Sequence, residues 1–268
     1  MSNNIRVIVA GATGWTGSAV TRAIIDAQDM VLVGAVTRSS AGQDIGALIS
    51  GRESGVIIAS SVEEALNTPC DVLIDYTHPN AVKAHTLLAI RRGVSVVIGT
   101  SGLDAEDFSE IEQYALEHRV SVFAAGNYSV TAALMTRFAL SAARYVPDVE
   151  IIDYAHETKP DTPSGTGREL AERLSAVRLP GTSTPVAELT GAPESRGALI
   201  DKVQVHSVRM PGHVLTCEAV FGAPDERLVI RHDAGSSAEP YVKGTLLAVR
   251  RVGDVVGLRR GLDQLLDG

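Results

Sequence analysis

IRVIVAGATGWTG, residues 5–17, is the stretch on which the fold turns. Ile5–Ala10 is a continuous, β-branched apolar run, the pattern of a strand buried on both faces. Gly11, Gly14 and Gly17 follow, and residues 18–27 read as a helix. Strand, glycine turn and helix in that order are the setting in which such a motif holds a dinucleotide. The first glycine permits the tight turn, the middle one lets backbone approach a pyrophosphate, and the last lets helix and strand pack closely. The helix start adds free N–H groups and positive potential for the phosphates. Gly11, Ala12, Thr13, Gly14, Trp15, Thr16 and Gly17 are therefore candidate cofactor residues. The spacing is GxxGxxG, a variant of GxGxxG, and the competing reading is a glycine turn that binds no nucleotide. Trp15 is bulky where phosphates approach; it either packs over the nucleotide or caps the turn from outside.

Working outward, residues 30–36, 71–75, 94–98 and 120–124 read as strands, and 61–66, 81–92 and 105–118 as helices. Regular alternation means βαβ units and a parallel sheet. The second half differs. A helix is expected over 130–145, a strand over 149–154, a helix over 168–176 and a long loop over 179–196. Strand candidates at 202–210, 214–221 and 227–232 are joined by turn signals at Pro211-Gly212 and at 223–225, which reads as antiparallel pairing. Residues 242–252 and 258–266 read as closing helices. The expected fold is α/β. A Rossmann-type parallel-sheet domain covers 1–127, with the helices of 241–268 returning to it. An α+β substrate and oligomerisation domain with an open mixed sheet covers 128–240.

Composition narrows the class. The 268 residues are 45% hydrophobic and 21% charged, which excludes a disordered chain. A net charge of −8 argues against a nucleic-acid partner. No apolar run reaches the roughly 18 residues of a membrane span, and the polar start at residues 1–4 is unlike a signal peptide. Two cysteines, Cys70 and Cys217, support neither a disulfide scaffold nor a cysteine zinc site, and point to the cytoplasm. No histidine cluster has metal-ligand spacing, so no metal is expected. His78, His85, His118, His206 and His213 read as structural or solvated, the competing reading being that His206 lines the site.

The end of the second strand bears on the cofactor. Residues 36–40, VTRSS, lack the carboxylate that would bind a ribose diol. Thr37, Arg38 and Ser39 suit a 2′-phosphate instead, because guanidinium pairs well with phosphate oxygens. NADPH is the expected cofactor, with NADH second; the competing reading leaves Arg38 a solvated charge. Further along, YAHETKPDTPSGTG, residues 154–167, ends a strand and opens a helix. Ser164, Gly165 and Thr166 place hydroxyls and N–H groups at the helix start, an arrangement for a carboxylate or phosphate. Lys159 can supply charge or a proton, and His156 can act as acid or base. The competing reading is a capped helix with Lys159 and His156 in solvent.

Here the chain resembles the dihydrodipicolinate reductase family, also called 4-hydroxy-tetrahydrodipicolinate reductase. Its signature pairs two adjacent histidines with a lysine and then DAPSGT; residues 159–166, KPDTPSGT, match the second part. Matches at the glycine turn, at DVLIDYT (71–77), VIGTSG (97–102) and FAAGNYSV (123–130) follow in order along nearly the whole chain. The resemblance implies reduction of a cyclic imine-type small molecule in lysine and diaminopimelate biosynthesis. It implies cofactor contacts at Tyr76, Thr77, Gly99, Thr100, Ser101, Ala125, Asn127 and Tyr128. It also implies assistance to catalysis from Lys159, a substrate carboxylate on Ser164, Gly165 and Thr166, His156 in the substrate site, and a homotetramer joined through the sheet of the second domain. Two positions depart from the pattern. The family's first histidine, its usual proton donor, falls on Ala155, and an arginine that reaches the substrate falls on Ala238. Three readings follow: the family's own reaction, an imine reductase for a different and less acidic substrate, and a dinucleotide-binding regulator without turnover.

Overall fold

The computed structural model describes residues 4–181 and 184–266. Of the polar start at residues 1–4, only Asn4 falls within them. The chain forms two compact units, one from residues up to Val130 together with those from Ala238 on, the other Thr131–Ser237.

The first unit is built by the alternation of its apolar runs. Strands β1 (Ile5–Ala10), β2 (Met30–Val36), β3 (Ile58–Ala59), β4 (Val72–Asp75), β5 (Ser95–Ile98) and β6 (Ser121–Ala124) are interleaved with helices α1 (Trp15–Asp26), α2 (Ile45–Ser50), α3 (Val62–Ala65), α4 (Pro79–Arg91) and α5 (Ala105–His118). The strands lie parallel in the order β3-β2-β1-β4-β5-β6. This order reverses between β1 and β4, the switch point outside which open α/β sheets bind ligands. Ile8, Ala10, Leu73, Val96 and Ile98 meet Val82 and Ile90 of α4 and Ile111 and Ala115 of α5. Their alternating neighbours Val7, Val9, Ile74 and Val97 are equally buried. Burial on both sheet faces, about 1.5–3 kcal/mol for each large side chain, explains why these runs are unbroken rather than alternating.

The second unit follows from α6 (Val130–Ala143). It contains β7 (Asp148–Ala155), α7 (Gly165–Val177), β8 (Ala198–Ile200), β9 (Val203–Arg209), β10 (Leu215–Ala223) and β11 (Glu226–Ala234) in the sheet order β11-β10-β7-β9-β8. Met135, Ala139, Leu170 and Leu174 of the helices cover Ile151, Val205, Ala219 and Phe221 on one face. The sheet is mixed, as expected. The hairpin read across Pro211-Gly212 does not form: β7 lies between β9 and β10, parallel to β9 and antiparallel to β10. A turn dipeptide reverses the chain, but the apolar face of β7 recruits a partner on each side.

After α8 (Glu239–Arg251) the closing segment departs from its reading as a helix. β12 (Gly257–Arg260) pairs parallel with β6 as a seventh strand, and Leu262–Leu265 is a single 3₁₀ turn. Gly257 and Gly261 both have φ near +95°, which ends any helix on either side of the strand. Helix α1 starts three residues earlier than expected, so Trp15 and Thr16 are helical. α7 likewise begins at Gly165. Among the described residues no helix is long and apolar enough to cross a membrane.

Candidate active site

The glycine turn leaves β1 at the switch point. Gly11 has φ +80°, and a Cβ there would lie 2.1 Å from the Tyr76 carbonyl oxygen. A Cβ on Gly17 would lie 2.0 Å from the Gly11 carbonyl oxygen. Neither position admits a side chain, and the backbone is thereby laid bare. Gly14 caps α1 with no side-chain hydrogen bond, so the first turn keeps its N–H groups for an incoming anion. This cradle fits a dinucleotide pyrophosphate. Ala12 is fully buried and offers only backbone. Trp15 is 55% exposed and meets Tyr241 of α8 edge-on, ring centroids 5.7 Å apart. The indole is thus held from outside the turn.

After β2, Thr37 is buried, and its Oγ1 accepts the Ser40 N–H at 3.2 Å. That short turn presents Arg38 and Ser39 to solvent, where a 2′-phosphate can reach them.

The loops after β4 and β5 are tied by one carboxylate. Asp75, fully buried, accepts Thr77 Oγ1 at 2.7 Å, Thr100 Oγ1 at 2.7 Å and the Thr77 N–H at 3.0 Å, all on Oδ1. His85 Nδ1 lies 2.8 Å from Oδ2. Burial alone would push this carboxyl up; the hydrogen bonds from His85, Thr100 and Thr77 outweigh it and hold it below the usual carboxylate range. The N–H groups of Gly99 and Thr100 both go to the Asp75 carbonyl, at 2.9 and 3.1 Å. Thr77 and Thr100 thus spend polar atoms on Asp75, and Ser101 is exposed beside them.

Tyr76 donates to or accepts from Thr245 Oγ1 at 2.7 Å, and its ring occupies the space a Cβ on Gly99 would need, 2.1 Å from Cε1. Burial pushes its phenol up. Tyr128 is buried and donates to the Ile98 carbonyl at 2.7 Å, so it frames the loop from behind. Asn127 Oδ1 accepts the Ser129 N–H at 2.8 Å, shaping the turn that carries Ala125.

In the second unit, the segment after β7 runs into α7. Lys159 Nζ lies 2.7 Å from Asp161 Oδ1, and His156 Nδ1 lies 2.8 Å from Thr158 Oγ1. Ser164 is buried and fully employed. Its Oγ donates to Asp153 Oδ1 at 2.6 Å and accepts the Gly167 N–H at 3.2 Å, and its own N–H goes to Asp153 Oδ2 at 2.8 Å. Ser164 is therefore the cap of α7, whose first residues are Gly165 and Thr166. Ala155 is fully buried at the end of β7, and Ala238 is the buried cap of α8; each presents a methyl group.

Asp75, Asp153, Asp161, Arg209 and Thr245 were given no role by the sequence reading, and His85, read as structural or solvated, proves to be the partner of Asp75. A signal existed for Asp75, a lone charge closing an otherwise apolar strand. His206, expected to be structural, pairs through Nε2 with Glu150 Oε2 at 2.7 Å. Among the described residues no group of three or more His, Cys, Asp or Glu side chains is placed to hold a metal ion.

Both halves match one family. The pattern described as "Dihydrodipicolinate reductase, N-terminus" covers residues 5–128 and "Dihydrodipicolinate reductase, C-terminus" covers residues 131–266. The chain belongs to the dihydrodipicolinate reductase family. It is similar to the 4-hydroxy-tetrahydrodipicolinate reductase of Desulfitobacterium hafniense (strain DSM 10664 / DCB-2), 41% identical over 98% of this chain and 99% of that one. The enzyme of the same name from Moorella thermoacetica is 40% identical over the whole of both chains. Among solved structures, a dipicolinate-bound dihydrodipicolinate reductase from Paenisporosarcina sp. TG-14 superposes with a TM-score of 0.76 at 30% identity, covering 98% of this chain and 100% of that one. Membership in this dihydrodipicolinate reductase family makes the chain an NAD(P)H-dependent oxidoreductase.

Proposed function

We propose that this chain reduces 4-hydroxy-tetrahydrodipicolinate, as a cyclic imine-type substrate, with NADPH in diaminopimelate and lysine biosynthesis. The observation that carries the reading is the side-chain-free cradle at Gly11 and Gly17, set at the switch point of a parallel sheet in a chain that matches the family at both ends. The bound dinucleotide supplies a hydride to the imine-type carbon. The chain does the rest. Gly11 to Gly17 and the start of α1 take the pyrophosphate, and Arg38 with Ser39 takes the 2′-phosphate. The loops at 76–77, 99–101 and 125–128 line the remaining length. Gly165 and Thr166 take a substrate carboxylate at the start of α7, with Ser164 holding them in place. Lys159 carries the ammonium that delivers the proton balancing the hydride, and His156 stands in the substrate site. The working assembly is a homotetramer, and the two unpaired cysteines suit the cytoplasm.

A second reading rests on Ala155 and Ala238. Two buried methyl groups stand where the family pattern has a histidine and an arginine, which favours a less acidic imine. The experiment mixes the pure protein with NADPH and freshly made 4-hydroxy-tetrahydrodipicolinate and follows reduced-nicotinamide absorbance. Turnover of roughly 1–1,000 per second supports the first reading. NADPH binding without turnover, followed by activity on imines lacking the second carboxylate, supports the second. Lys159→Ala lowers kcat by about 100-fold or more if the ammonium is the proton source; wild-type kcat in that variant removes Lys159 from the chemistry.

A further inference from the structure

We propose that Arg209 and Asp153 are positioning residues that fix the substrate loop, residues 156–167, at two points, Asp161 and Ser164; this rests on the reading of that loop given above. Asp153 is 1% exposed on β7, and Arg209 ends β9, the strand parallel to it. Arg209 Nη2 donates to Asp153 Oδ2 at 2.7 Å and to the Asp161 carbonyl at 2.7 Å. Nη1 donates to the Asp153 carbonyl at 3.0 Å. The same Asp153 carboxylate accepts the N–H and hydroxyl of Ser164. One buried ion pair therefore holds Asp161, whose side chain holds Lys159 Nζ, and holds Ser164, whose hydroxyl caps the helix that presents Gly165. The distance between the ammonium and the helix start is thus set by a clamp that acts through Asp161 and Ser164. Two separate nitrogens of one rigid guanidinium thus serve the Asp161 carbonyl and the Asp153 carboxylate on one side and the Asp153 carbonyl on the other, a reach that the single nitrogen of an ammonium does not have.

Arg209→Lys keeps a cation against Asp153 and loses the fork, and Ser164→Ala removes one hydroxyl at the second point. Dipicolinate serves as the substrate-site probe, titrated calorimetrically. NADPH binding is read from the single tryptophan, Trp15, in the first unit. Both variants are expected to bind dipicolinate about tenfold or more weakly and to raise KM for the imine by a similar factor. NADPH affinity stays at the wild-type value and kcat changes less than KM. Wild-type dipicolinate affinity in Arg209→Lys and in Ser164→Ala overturns the clamp. So does a parallel loss of NADPH binding and melting temperature, which is the mark of a merely structural pair. Lys159→Ala separates the two readings. If it leaves dipicolinate affinity and turnover untouched, the loop is not the substrate loop; if it impairs them while the Arg209 and Ser164 variants behave as wild type, only the clamp fails.

Discussion

Arg38 stands exposed two residues past the end of β2, where a ribose-binding carboxylate would otherwise select NADH. Under the proposed NADPH reading its worth lies in a charge-assisted bond to the 2′-phosphate, which a neutral side chain cannot make. Arg38→Ala is expected to raise KM for NADPH about tenfold while KM for NADH stays within about twofold, since tenfold corresponds to about 1.4 kcal/mol. Steady-state kinetics with the two cofactors check it, and equal losses with both would show that Arg38 does not face the 2′-phosphate. The same stretch shows what residue identity alone reveals. The absence of a carboxylate and the presence of Arg38 are visible in the sequence, whereas the turn that turns Arg38 outward depends on buried Thr37 accepting Ser40, a geometry no spacing announces. Ser164 is the converse case. Its position at a helix start was readable, but its hydroxyl is consumed by Asp153, eleven residues back and on a strand.

The loops that follow β4 and β5 act together because Asp75 sits between them. Asp75→Asn keeps the shape but changes the charge facing His85, and Asp75→Ala strands four donors, at a cost of about 3 kcal/mol. Dinucleotide affinity is expected to fall in both, more in the alanine variant, with dipicolinate affinity unchanged. The pH sign is fixed by the lowered acidity constant. A carboxyl held below its ordinary value near 3.9 stabilises the fold fully above about pH 4, and this is lost as pH falls through the lower folded value. Urea unfolding between about pH 3 and 6 should therefore show a shallower acid loss in Asp75→Asn; an unchanged slope would mean the carboxylate is not charged in the fold.

Elements differed in how plainly they could be read. The parallel half was legible because burial on both faces produces uninterrupted β-branched runs, and the helix expected over 105–118 coincides with α5, which the structure caps with Asp104. β12 was not, since Leu258 to Leu266 is short and its pattern suits either structure; its pairing with β6 decides the matter, and that partner lies 136 residues away in the chain. β8, three residues long at the sheet edge, left no periodic signal at all.

Among the described residues, the helices of the second unit cover one face of its sheet. On the other face, Val220 pairs with Val229 across β10 and β11, and Leu199 lies in the same row. Val229 is 43% exposed and Leu199 64% exposed, while among the described residues β11 ends the sheet with no further strand beside it. Exposed apolar rows beside an open edge are where copies of a chain pair, and symmetric closure hides the edge that would otherwise recruit further strands. Glu150 and Gln204 lie in that row between Val220 and Leu199, and these, with His206 on Glu150 and Arg231 on Glu218, would limit which approach is accepted. Under the proposed homotetramer, sedimentation at micromolar concentration should give four times the 28.2 kDa chain. Val229→Asp leaves the isolated chain folded, because the side chain is already half in water, but it buries a charge in the assembly and should shift the mass towards two chains or one. A wild-type mass of one chain, or a Val229→Asp variant that sediments as the parent does, would move the contact to another surface. Dipicolinate binding measured on the same Val229→Asp sample then tells whether the substrate loop, held internally by Asp153 and Arg209, keeps its shape without neighbours; retained affinity is the expected result.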